Sequence, residues 1–142
     1  MPKLLIFAPC EKALIDQSNN LSLVSVLQDV TVSIPEQNLP ENALIPMKWD
    51  VVSLWLEEPG DGTKEFEQIC ELRRDDQIIS RSRTTFSMQG PLHRVLVTNY
   101  GFPVQPPGQF MLILRLREMP GGQAQIVAQY PLRAEVKVQK PS

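Results

Sequence analysis

The chain is short of the residues that most catalytic and metal sites need. Its 142 residues include one histidine, His93, and two cysteines, Cys10 and Cys70. A structural zinc site takes about four Cys or His ligands, and a hydrolase triad needs a base beside its nucleophile. A Cys–His pair is left open as a catalytic alternative, although no spacing supports it. We therefore expect a protein that is not an enzyme and that uses no metal or other cofactor.

A basic excess and a long apolar run are also absent. The chain carries 14 basic and 16 acidic residues, a net charge of -2. Nucleic-acid binding is not expected, because no positive excess is available to displace counterions. The apolar run at residues 4–8 is too short for a signal-peptide core, and no run reaches the roughly 18 residues of a membrane span. We expect a cytoplasmic protein that does not insert into membranes, with signal-independent export left open.

Proline, in contrast, is frequent, with 13 residues against 7 glycines. Most prolines fall between apolar runs, where turns and strand edges tolerate them and helix interiors do not. Residues 109–118 and 123–138 show the clearest alternation of apolar and polar side chains, around a Met-Pro-Gly-Gly break. Two alternating runs around such a break predict an antiparallel hairpin with one buried face.

Three apolar residues fall on the predicted solvent-exposed face of that hairpin, namely Met111, Ile113 and Val127. An apolar strip on an exposed face is typical of an interaction surface. These residues are predicted to contact a second copy of the chain or another protein.

Further strands are predicted at residues 3–15, 21–34, 48–57, 66–74, 77–88 and 92–99. Short strands between regular turn signals favour a sandwich or barrel. We predict an all-β fold over residues 1–142, a single antiparallel β-sandwich of seven to nine strands. In its 66–88 hairpin, a Glu67–Arg83 or a Glu71–Arg81 pair is predicted, depending on register.

Two connections are predicted to carry a contact surface. The crossover at residues 35–47 contains Leu39, Leu44 and Ile45, and the Pro-rich loop at 99–108 contains Tyr100 and Phe102. Binding residues concentrate on loops held by a rigid scaffold. The alternative interpretation is that these side chains close the ends of the sandwich.

Several short motifs give the chain a family resemblance: residues 8–12 (Ala-Pro-Cys-Glu-Lys), the apolar run 21–27, Trp49-Asp50-Val51, and Pro107-Gly108-Gln109-Phe110 leading into Pro131-Leu132. In these features the chain resembles small bacterial β-sandwich proteins of a domain-of-unknown-function family, within the broader immunoglobulin-like and C2-like sandwiches. The immunoglobulin cysteine pair and the C2 calcium aspartates are missing. The resemblance therefore implies a fold and not an activity.

The function predicted from these observations is a non-catalytic protein-binding or assembly module. A carbohydrate-binding sandwich is the first alternative, and it requires Trp49, Trp55 or Tyr100 as an exposed platform. A structural component of a phage or secretion assembly is the second. The expected partner is another protein or a second copy, and not a nucleic acid.

Overall fold

The computed structural model describes residues 1–34, 43–104 and 107–138. In chain order the strands are β1 (Lys3–Ile15), β2 (Leu21–Val26), β3 (Asp29–Ile34), β4 (Leu44–Leu56), β5 (Glu65–Arg74), β6 (Gln77–Ser87), β7 (Leu92–Pro103), β8 (Gly108–Met119) and β9 (Gln125–Val138). Sheet A has the order β2-β1-β4-β7, and sheet B has the order β3-β9-β8-β5-β6. The all-β prediction is confirmed.

The two sheets face each other across one apolar core. The predicted inward row of Trp49, Val51 and Trp55 is confirmed, since all three side chains are buried in it. Sheet B supplies the opposing layer, which includes Phe66, Leu72, Phe110, Leu112, Leu114 and Leu116. The alternation that the sequence shows along β8 therefore marks the buried face.

Polar atoms inside the core are hydrogen-bonded. Gln68 is buried on sheet B, and its Oε1 accepts a hydrogen bond from Trp55 Nε1 at 2.9 Å and another from the Ser53 hydroxyl. A buried amide without partners would cost roughly 1–3 kcal/mol, so these bonds make Gln68 compatible with its position. They also tie the two sheets together at a fixed register.

Sheet B is mixed and strongly curled, so the prediction of a purely antiparallel sandwich is wrong. β3 pairs with β9 in parallel, whereas the other pairs of sheet B are antiparallel. The predicted single strand at 21–34 is divided between the sheets. The Leu27 amide donates to Pro9 of sheet A, while the Gln28 carbonyl accepts from the Arg133 amide of sheet B. The chain thus changes sheets within two residues.

The predicted loop at 99–108 begins later than expected. β7 continues to Pro103 because β4 begins at Leu44, and these two residues lie opposite each other in the register. The pairing shifts between Ile45 and Lys48, which marks a β-bulge in β4. The described residues of the two predicted connections therefore form one paired end of sheet A.

The β1–β2 hairpin bends over the outer face of sheet A. Asp50 projects from this face, and its Oδ2 accepts a hydrogen bond from the Ala13 amide at 2.9 Å. Arg94, on the same face, donates from Nη1 to the Asn19 carbonyl at the hairpin turn, at 3.0 Å. Ser25 adopts φ 54, a left-handed conformation rare for a non-glycine residue, where the hairpin departs from the plane of the sheet.

Candidate functional site

The outer face of sheet A is largely apolar. Two successive rows of its side chains are Ile6, Leu54 and Arg94, then Ala8, Val52 and Leu96. Val52 has 0% of its surface exposed, although it points away from the core between the sheets. The overlying β1–β2 hairpin explains this burial. On β7 the hairpin turn contacts Arg94, whereas Leu92, Leu96 and Tyr100 remain exposed.

The most exposed part of this face lies at the bulged end of β4 and β7. Tyr100 is 80% exposed and Leu44 is 62% exposed, the two highest values among the large apolar side chains of the described residues. They border a shallow depression of about 450 Å³ together with Ile45, Pro46, Met47, Lys48 and Gly101. We call these seven residues the Leu44–Tyr100 patch.

The local sequence explains the shape of the patch. Gly101 has φ +108, a conformation that favours glycine, and a Cβ built there would lie 3.5 Å from a Leu44 side-chain atom. The Gly101 carbonyl accepts a hydrogen bond from Trp49 Nε1 at 2.9 Å. Backbone and core are thereby joined directly beneath the exposed side chains.

Aromatic packing supports the patch from below. Phe102 is fully buried and contacts Trp49 edge-on, with ring centroids 5.4 Å apart. It contacts Phe110 of sheet B in the same way at 5.8 Å. Such pairs contribute about 0.5–1.5 kcal/mol beyond their buried area. Tyr100 and Leu44 therefore project from a packed support and not from a free loop.

The structure unites some of the predicted contact residues and separates others. Leu44, Ile45 and Tyr100 were predicted on two connections and lie in one patch. Phe102 was expected on a loop surface, but it is buried in the core, in line with the alternative that it closes the end of the sandwich. Simple alternation would place it on the same face as Tyr100, and the positive φ of Gly101 opposite the β4 bulge breaks that alternation. Leu39 lies outside the described residues.

The predicted apolar strip on β8 and β9 is not exposed as a unit. Val127 is exposed at a bulge in β9, Met111 is half-buried, and Ile113 is buried. Ile113 lies opposite Glu71 and beside Arg115 on the outer face of sheet B. The apolar stems of long arginine side chains can cover a neighbouring aliphatic residue, which accounts for this burial.

Ion pairs dominate that outer face. Both predicted cross-strand pairs are present: Glu71 accepts from Arg81 at 2.9 Å, and Glu67 accepts from Arg83 at 3.2 Å. The sequence did not indicate that these glutamates would be buried. Glu71 is 1% exposed and Glu67 is also buried. The only signal in the sequence was that Glu67 and Glu71 alternate with apolar residues along the strand. This alternation predicts which face of the sheet the glutamates occupy, but it does not predict that they are buried.

The candidate catalytic groups lie apart and in unreactive settings. Burial raises the pKa of the Cys70 thiol to about 12. Burial, and secondarily the nearby Asp50 charge, raises the pKa of Cys10 as well. Both thiols are unpaired. His93 stacks on Phe86 at 4.8 Å, and burial lowers its pKa. Thiols with raised pKa values are poor nucleophiles near neutral pH.

The described residues carry few other signals of function. Within the described ranges, no cluster of His, Cys, Asp and Glu side chains is suited to holding a metal ion. Across the same residues, no helix has the length and apolar character needed to cross a membrane. No protein-family model and no curated protein matches the chain.

Proposed function

We propose that the protein is a non-catalytic protein-binding module whose contact surface is centred on the Leu44–Tyr100 patch. The observation that carries this proposal is the placement of the two most exposed large apolar side chains around one depression on paired strands. Tyrosine is enriched at interfaces because its ring offers a large contact area while its hydroxyl stays hydrated. Exposed apolar groups that gather around a depression are typical of a binding surface.

The patch suits an apolar side chain of a partner. The depression is lined by Leu44, Ile45 and Met47, and Lys48 at its margin is exposed. An inserted apolar group would be desolvated there, as interface anchors are. The lysine favours a partner that carries an acidic group next to its apolar anchor.

The test is capture of partners from the source cells by the tagged protein, with mass spectrometric identification. We expect Tyr100→Ala to reduce recovery of the specific partner by more than about tenfold, a typical loss for an interface anchor. Leu92→Ala is the matched control, since Leu92 is exposed on the same face but outside the patch. Equal recovery with both variants would contradict the proposal.

The same residues bear on the alternative functions, which are carbohydrate binding and a structural role in an assembly. Trp49 and Trp55 are buried, so a carbohydrate platform would depend on Tyr100 alone. A structural role in a phage or secretion assembly, or contact with a second copy, would use the same patch and would be identified by the captured partner. Light scattering on the purified protein separates self-association from binding to another protein.

We also propose that this binding takes place in the cytoplasm. Two unpaired, buried thiols suit a reducing compartment, which supports the cytoplasm. We also propose that the fold is related to the immunoglobulin-like or C2-like sandwiches. We expect a solved structure of a related protein to show the same parallel pairing of β3 with β9. Absence of this pairing would count against the relationship.

A further inference from the structure

β6 is a free edge of sheet B among the described residues. It pairs with β5 on one side and is last in the strand order. Its 11 residues contain neither proline nor lysine, two of the devices that commonly protect strand edges. About half of the backbone N–H and C=O groups of an edge strand point away from its neighbour. β6 therefore offers a template for one more strand.

The outer side of this edge is positively charged. Glu71 lies among Arg81, Arg115 and Arg73, and Glu67 lies between Arg83 and Arg117. Five guanidinium groups thus surround two buried carboxylates. Glu65 is the remaining carboxylate that β5 places on this face, and the Asp75–Asp76 turn lies beyond its end. The face has more cationic groups than carboxylates.

The arginines at the edge retain donors for a ligand. Arg81 and Arg83 are 44% and 51% exposed at the side chain. A guanidinium has five N–H donors, and Arg81 directs its Nε and Nη2 groups to one Glu71 oxygen. Arg83 directs Nη1 to Glu67. The remaining N–H groups can bind a further carboxylate bidentately or singly.

The positive charge on β6 determines which kind of segment can pair with this edge strand. If a second copy paired through β6, arginines of the two chains would lie close together on one face, and like charges across strands are destabilising. Arg81 and Arg83 are two residues apart, so both project from the same face of the strand. An extended segment with acidic residues at alternate positions has the matching spacing.

The inner side of the edge limits the other side chains of such a segment. β6 directs the small side chains of Ser80, Ser82 and Thr84 inward. A narrow cavity of about 40 Å³ between β6 and β7 is lined by Ser80, Ser82, Trp49 and Val97 among others. Small or hydroxyl-bearing side chains suit the position next to this cavity, whereas the gap widens to about 580 Å³ between residues 84–87 and β7.

The geometry points to β6 as a binding site for an acidic extended segment of a partner protein, which adds to sheet B as a further strand. Backbone hydrogen bonds to β6 would supply the affinity. Alternate carboxylates facing Arg81 and Arg83 would supply the specificity. This site lies on a different sheet from the Leu44–Tyr100 patch and is independent of it.

The test uses the unaltered protein and a fluorescent ten-residue peptide of alternating glutamate and threonine. We expect saturable binding in fluorescence anisotropy. A lysine–threonine peptide should not bind. An acidic peptide methylated at every backbone nitrogen should bind at least about tenfold more weakly, since it lacks the N–H donors. Equal binding of the methylated peptide would overturn strand addition in favour of charge attraction alone. Absence of binding by the unmethylated acidic peptide would also overturn it.

Single substitutions locate the site. Arg83→Gln should weaken binding of the acidic peptide several-fold while Glu67 keeps its bond from Arg117 at 2.9 Å. Arg133→Gln is the matched control, because Arg133 is exposed on sheet B but lies on β9 and pairs with Glu135. Tyr100→Ala should leave peptide binding unchanged. Equal weakening by the two arginine substitutions would place the peptide elsewhere and contradict the proposal.

Discussion

The outer face of sheet A is apolar and is covered in part by the β1–β2 hairpin. The outer face of sheet B is ionic, and its buried carboxylates are covered by long side chains of the same face. Val52 is buried on the first face by a separate segment, and Glu71 is buried on the second by neighbouring arginine side chains. An apolar sheet face needs another element to exclude water. A face with long charged side chains can use their apolar stems instead.

The largest expected effect comes from the ionic face. Glu71→Gln should lower the free energy of unfolding by about 3 kcal/mol, because it removes the negative charge among three arginines. Chemical denaturation monitored by tryptophan fluorescence measures this. Glu65→Gln, at an exposed position of the same strand, should change it by less than about 0.5 kcal/mol. Similar values for the two variants would show that burial of Glu71 carries no electrostatic consequence.

On the apolar face the corresponding substitution is Val52→Ala. Two methyl groups are lost from a buried site, and we expect a cost of about 2 kcal/mol. Val24→Ala is the control, since Val24 is exposed on the hairpin itself. Denaturation curves of the two variants compare these positions directly. A cost at Val52 no greater than that at Val24 would mean that the hairpin does not shield this face in solution.

A smaller effect is expected from freeing the hairpin. Arg94→Ala removes the hydrogen bond to the Asn19 carbonyl, which contributes about 1 kcal/mol. Local opening should then be about fivefold more frequent, and Cys10 on the outer face should react faster with a thiol reagent. Cys70 faces the core and provides an internal control. Parallel acceleration at both cysteines would indicate global unfolding instead.

The smallest effect concerns pH and the contact between the sheets. His93 has a lowered pKa because of burial against Phe86, so the folded state binds a proton less readily than the unfolded state. The free energy of unfolding should therefore fall as the pH drops through the ordinary histidine value of 6.5. His93→Phe should flatten this part of the stability profile. An unchanged slope would assign the dependence to carboxylates.

Alternation along individual strands made much of this fold predictable. Residues 3–15, the 66–88 hairpin and the final hairpin follow the sequence pattern closely, as do the inward tryptophans. Alternation assigns each side chain to a face from its immediate neighbours, so no long-range information is needed. The pairing of Glu71 with Arg81 follows from the same local register.

Features that depend on distant contacts were not predictable. The hairpin is held over sheet A by Asp50 and Arg94, which are 37 and 75 residues from their partners. Phe102 was assigned to a loop because the prolines nearby suggested one, whereas pairing with β4 extends the strand. The candidate patch was predicted as two separate surfaces for the same reason.

The parallel pairing of β3 with β9 also has a consequence for the order of folding. The hydrogen bond from the Tyr130 hydroxyl to Leu27, beside this pair, spans 103 residues. During synthesis, β3 must remain without this partner until β9 has been made. Contacts of such long range slow folding, and an unpaired strand is prone to incorrect association while it waits. In the interval between the synthesis of these two strands, β3 is therefore exposed to incorrect association.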